Sequence, residues 1–188
     1  RGFYNARDFL SFLADPPVRA FMDEGRQVSE YQRRYVLAVL QEFNLRHRLT
    51  INEAFGIALE PLESTDFQSF VAGGQASILH LSEFIHTRLM PFMETRMVEL
   101  RSLYAEAKPD ERRQMEALAE KMHALDSEAI AERYLKPECN TSLPDPNFPQ
   151  AGADVPGLLM LAPRELLERL DQLHTGYRIC LNLSDLHV

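Results

Sequence analysis

Residues 29–47 read SEYQRRYVLAVLQEFNLRH. At 100° per residue, Val36, Leu40, Phe43 and His47 fall within about 60° of one another on a helical wheel. The spacing predicts one long helix with an apolar stripe, and the last position of that stripe is an imidazole. Ser29 and Gln32 have the spacing of a capping box at its start. A histidine among apolar neighbours needs a hydrogen-bond partner or something to ligate. His47 is therefore the first candidate functional residue, with Val36, Leu40 and Phe43 as an apolar wall beside it.

Upstream of this helix, Asn5 precedes a short apolar-periodic segment with Phe9, Leu10, Phe12 and Leu13. Asp15-Pro16-Pro17 ends that segment and opens another, which Gly25 is placed to stop in a left-handed conformation. Downstream, Thr50 and Glu53 form a second capping box before Phe55, Ile57 and Leu59. A loop over Pro61 to Thr65, the segment Phe67 to Val71, and Gly73-Gly74 follow. From Ala76 to about Ala107 the pattern is helical, with Pro91 predicting a kink. Lys108-Pro109-Asp110 turns the chain into a partner helix with Met115, Leu118, Met122, Leu125 and Ala129, so residues 76–135 are expected to form an antiparallel helical hairpin.

Residues 136–157 carry five of the eleven prolines and read as a Pro-rich linker or arm. Beyond them come the apolar run Leu158 to Leu161 and a helix opened by Pro163, with Leu166, Leu167, Leu170 and Leu173. Tyr177, Ile179, Leu181 and Leu183 then alternate with polar residues, the period of a strand. The expected fold is mainly α: a multi-helix bundle over residues 1–135 and a small C-terminal α+β element over 158–188.

The composition narrows the functional classes. The chain has 188 residues, is 45% hydrophobic and 26% charged, and has a net charge of −8. That is enough apolar material for one buried core, and the negative balance offers nothing to nucleic acid or an anionic membrane. No apolar run approaches the roughly 20 residues of a membrane span, and nothing at the start resembles a signal peptide. Cys139 and Cys180 are too few for a disulfide framework and wrongly spaced for zinc, so a cytoplasmic setting is expected. Asn140-Thr141-Ser142 has the form of a glycosylation acceptor, read as accidental in that setting. The chain begins with Arg1, as a trimmed or partial protein would.

The segment FLSFLADPPVRAF at residues 9–21, then Gly25, then Phe43 and His47, resembles the heme-ligand region of the indoleamine 2,3-dioxygenase family. The matching residues are Phe9, Leu10, Leu13, Pro16, Val18, Arg19, Phe21, Gly25, Phe43 and His47. Val71-Ala72-Gly73-Gly74-Gln75 is similar to that family's glycine-rich loop and follows in the right order. The resemblance covers about residues 1–90. It departs at Asn44, where the family usually has Arg, and at Arg48, where it has an apolar residue. It implies heme as cofactor, His47 as the proximal iron ligand with Val36, Leu40 and Phe43 beside it, and Gly73 and Gly74 in a loop covering a small-molecule substrate. In a complete enzyme of that type, ferrous heme binds dioxygen opposite the histidine and inserts it into an indole ring. The family builds its distal pocket from helices upstream of this segment, so a missing N-terminal region or a partner chain is expected to supply them.

Other constellations carry less. Glu83/His86 and Glu120/His123 have the Glu-x-x-His spacing of di-iron bundles, but both glutamates fall on the side of the wheel away from the apolar stripe. His174, near a helix C-terminus, reads as a dipole-compensating residue. No nucleophile elbow, phosphate loop or dinucleotide glycine pattern is present. Met90, Met93, Met97, Met115 and Met122 read first as adaptable core, and second as a groove for a partner. The alternative to a heme domain is accordingly a non-catalytic interaction module that presents the 76–135 hairpin or the 177–183 strand.

Overall fold

The structure is a computed structural model and describes residues 5–145 and 154–173. It is mainly helical, and among the described residues there is no strand. Residues 29–153 form one compact unit, and residues 1–28 with 154–188 form another. This grouping differs from the division at 135 and 158 read from the sequence, because contacts such as Arg169–Glu24 link residues 5–28 to residues 154–173.

In the smaller unit, α1 (Ala6–Ala14) is capped by Asn5, whose side chain accepts from the Asp8 amide at 2.9 Å. Asp15 closes α1, and Pro16 begins α2 (Pro16–Glu42). A 3-10 turn over Gly157–Met160 and α8 (Pro163–Asp171) complete the described part. Arg169 makes a two-pronged ion pair with Glu24 at 2.7 and 2.9 Å. The apolar run Leu158–Leu161 is mostly this 3-10 turn. Its four apolar residues have no alternation to hold them to an extended form. The strand expected at Tyr177–Leu183, and His174, lie outside the described residues.

Gly25 lies inside α2 and does not end it. One interior glycine costs about 1 kcal/mol relative to alanine, too little to break a helix whose remaining hydrogen bonds continue. The Ser29 box is therefore no helix start. A π-helical turn, Phe43–His47, follows directly, with the Arg48 amide donating five residues back to the Phe43 carbonyl. From there α3 (Arg48–Phe55) continues to Gly56, left-handed at φ 64°. Thr50 is likewise no cap, since its hydroxyl donates back to the Arg46 carbonyl at 3.3 Å.

The loop after Gly56 is fastened to the helices by two asparagines acting as substitute backbone. Asn52 exchanges hydrogen bonds with both the N–H and the C=O of Leu59, each at 3.0 Å. Asn44 does the same with Leu62 at 2.9 and 2.8 Å. Arg48 adds a bond to the Leu59 carbonyl at 2.7 Å. The two positions that depart from the dioxygenase pattern thus have a structural task here.

Next come α4 (Ser64–Val71) and α5 (Ile78–Tyr104), the latter capped by Ser77 and containing Pro91. A short turn leads into α6 (Pro109–His123). Arg112 reaches back to the Tyr104 and Ala105 carbonyls, both at 3.1 Å, and so satisfies acceptors that the end of α5 leaves open. The predicted partner helix is shorter than its apolar spacing suggested. It stops at His123, and Asp126 caps a new turn, α7 (Ser127–Ile130). A second π-helical turn (Ala131–Leu135) and a 3-10 turn (Pro137–Cys139) follow. The core of this unit joins Val36, Val39, Leu40 and Phe43 to Phe67, Leu81, Phe84, Ile85, Leu89, Ile130 and Leu135. Residues 136–145 are not a plain surface linker, because Asn140 is fully buried and Leu143 packs on this core.

Candidate functional site around His47

The two π-helical turns meet at one place. A π turn hydrogen-bonds five residues back and holds more residues than an α turn, and such turns are frequent at functional sites. The turn ending α2 delivers His47, and the turn after α7 delivers Tyr134, with ring centroids 5.4 Å apart and planes tilted by 50°. The wider turn also explains why His47 is only half-buried. Beyond Phe43 each residue advances by less than 100°, so His47 lags from the stripe centre to its edge.

The third member is Asn140, which is 0% exposed. Its Nδ2 donates to the Tyr134 carbonyl at 2.9 Å and to the Lys136 carbonyl at 3.1 Å, the latter also accepting from the Cys139 amide at 3.0 Å. Carbonyls accept only, so these two bonds fix the amide's orientation and leave Oδ1 facing His47 Nε2 at 3.3 Å. Oδ1 is also an acceptor only. The proton of the neutral ring therefore sits on Nε2, and Nδ1 holds the free lone pair. Burial pushes the His47 pKa below its ordinary value, helped by Arg46 and opposed by the Asn140 bond and Glu42. The result is a neutral imidazole of fixed tautomer on a helical support, able to ligate a metal or accept a proton through Nδ1.

Heme fits this arrangement in one respect and not in another. The donor is in its ligand form, with the opposite nitrogen held by a neighbour as metal-bound histidines require. The expected wall is different: Val36, Leu40 and Phe43 are 3, 1 and 0% exposed and covered by the core, so they present no face to a porphyrin. His47 would have to hold iron through Nδ1, or through Nε2 after Asn140 moves. Among the described residues no group of three or more His, Cys, Asp or Glu side chains could hold a metal ion.

The remaining sequence candidates lie elsewhere. Gly73 and Gly74 belong to the turn after α4, and Gly74 lines a cleft with Arg33 that does not include His47. His86 and His123 line a groove between α5 and α6, while Glu83 and Glu120 are exposed. Sequence reasoning missed Tyr134 and Asn140. Asn140 stood in a stretch with the composition of a loop, and no periodicity marks a buried amide. The chain matches no family model, no curated protein and no solved structure.

Proposed function

We propose that the chain is a heme-binding helical domain similar to the proximal half of an indoleamine-dioxygenase-like oxidoreductase, with His47 as the residue that would hold the iron. The observation that carries this reading is the His47 ring held between the two π turns by the buried Asn140 amide, with burial pushing its pKa down, at the position the sequence resemblance picks out. Bound heme would supply dioxygen activation. This chain's own part is to hold the iron from one side, with Asn140 setting the ring's proton and orientation. Insertion of oxygen into an indole-type substrate would further require distal helices from outside these residues.

The test is a hemin titration followed from 350 to 700 nm on the wild-type chain and on His47→Ala. A sharp Soret band that shifts on reduction and collapses in the variant supports the reading. A spectrum indifferent to the substitution removes it.

One observation favours a non-catalytic interaction module as a second reading. A groove of about 530 Å³ between α5 and α6 is lined by Met90, Met93, Met97 and Met122, and flexible thioethers suit the apolar face of a partner helix. In that reading the protein stays colourless with hemin, and His47→Ala costs stability alone. No helix among the described residues is long and apolar enough to cross a membrane, which agrees with either reading.

A further inference from the structure

The cleft at Arg33 has chemistry of its own. It lies between the second half of α2 and the segment from α4 to Ala76, and it holds about 570 Å³, within the roughly 300–1,000 Å³ common for small-molecule sites. Leu37 and Val71 give it apolar walls, while Thr65 and Gln68 give it polar ones. None of its lining residues is acidic, and Arg33 is the charged residue among them. The guanidinium is weakly engaged: its ion pair with Glu30 spans 3.8 Å with both side chains about half exposed, and such pairs hold little energy. Ser69 is a poor donor there, because its hydroxyl already donates to the Thr65 carbonyl at 2.9 Å.

The backbone at the cleft's rim is unusual as well. Ala72 has φ 55° and ψ −128°, and the Gly74 amide donates to the Val71 carbonyl at 3.2 Å. Together these define a type II′ turn with alanine where glycine is normal. Strain of this kind persists where surrounding structure holds it, and it gathers at binding sites. Gln75, next to this turn, is tied to Gln32 of α2 by a side-chain hydrogen bond.

We propose that this cleft binds a small organic carboxylate, with Arg33 taking the carboxylate and Leu37 and Val71 flanking the apolar body. A carboxylate is the natural partner of a guanidinium that can donate two parallel hydrogen bonds. The site is independent of the heme reading and is tested without hemin.

The probe is phenylacetate, with phenylacetamide as its uncharged counterpart, titrated into the 15N-labelled chain. Saturable shifts centred on the amides of Gln68 to Ala76 are expected with phenylacetate, and at least about tenfold weaker binding of the amide. Arg33→Gln should weaken phenylacetate by a similar factor and abolish the discrimination. Arg33→Lys, which keeps the charge but loses the fork, should weaken it less. Absence of saturable shifts, equal binding of acid and amide, or undiminished binding to Arg33→Gln would overturn the proposal. Arg33 is exposed at the surface of α2, so an intact amide spectrum in each variant separates lost binding from lost folding.

Discussion

Asn140 and His47 are 93 positions apart in the chain and joined by a 3.3 Å hydrogen bond. The bond fastens the end of the second π turn to the end of the first. Asn140 is the hinge of this arrangement, because one buried amide serves two carbonyls and one imidazole at once.

Asn140→Ala should therefore cost more than a surface polar change. It leaves the Tyr134 carbonyl without this donor and His47 Nε2 without an acceptor, while the Lys136 carbonyl keeps the Cys139 amide at 3.0 Å. Groups orphaned in this way cost about 1–3 kcal/mol each where water cannot replace the partner. A total loss of about 2–3 kcal/mol is expected in urea denaturation. A loss under about 0.5 kcal/mol, the usual range of surface substitutions, would mean the amide is not buried as described.

His47 should make stability depend on pH. Its pKa is lower in the folded protein, so the unfolded chain binds this proton more readily. The contribution is present in full above pH about 6.5, the ordinary histidine value, and is lost as pH falls from there toward the folded value. His47→Gln keeps a donor for Asn140 without titrating. Between about pH 7.5 and 5.5 the wild type should lose more stability than this variant. The same pH dependence in both would remove the linkage.

Ala72→Gly should stabilise the protein. Alanine in the first central position of a II′ turn carries strain of about 1 kcal/mol or more, which exceeds the entropic cost of glycine in the unfolded chain. The gain should appear as a higher urea midpoint with an unchanged m-value. A lower midpoint would contradict the turn assignment.

Gly56→Ala should have the opposite sign. Gly56 ends α3 at φ 64°, and a Cβ there would meet the Arg96 guanidinium at 3.4 Å. A loss of about 1–2 kcal/mol is expected from the left-handed backbone alone. Unchanged stability in thermal or urea unfolding would count against the Gly56 cap.

What could be read in the sequence followed periodicity. Asn5, Pro17, Pro109 and Pro163 marked helix starts that the structure has at or beside them, because capping and proline chemistry are local. Gly25 and Thr50 misled for the converse reason: a local stop or start signal yields when the helix on either side is held by packing. His47 was found from the wheel, and its half-burial was not, because the wheel assumes an α-helical step through residues that form a π turn. Asn140 and the Asn44 and Asn52 clamps depend on partners distant in the chain or in irregular loops, and residue spacing holds no record of those.

With Asn140 Oδ1 accepting from it, His47 is a neutral imidazole protonated on Nε2, with Nδ1 left as its ligand atom. Long-range proton–nitrogen correlation of the histidine rings at neutral pH measures this directly, with His47 assigned by its loss in His47→Gln. A protonated Nε2 and an unprotonated Nδ1 are expected in the wild type, and tautomer averaging in Asn140→Ala. A ring protonated on Nδ1, or on both nitrogens, in the wild type would contradict this assignment.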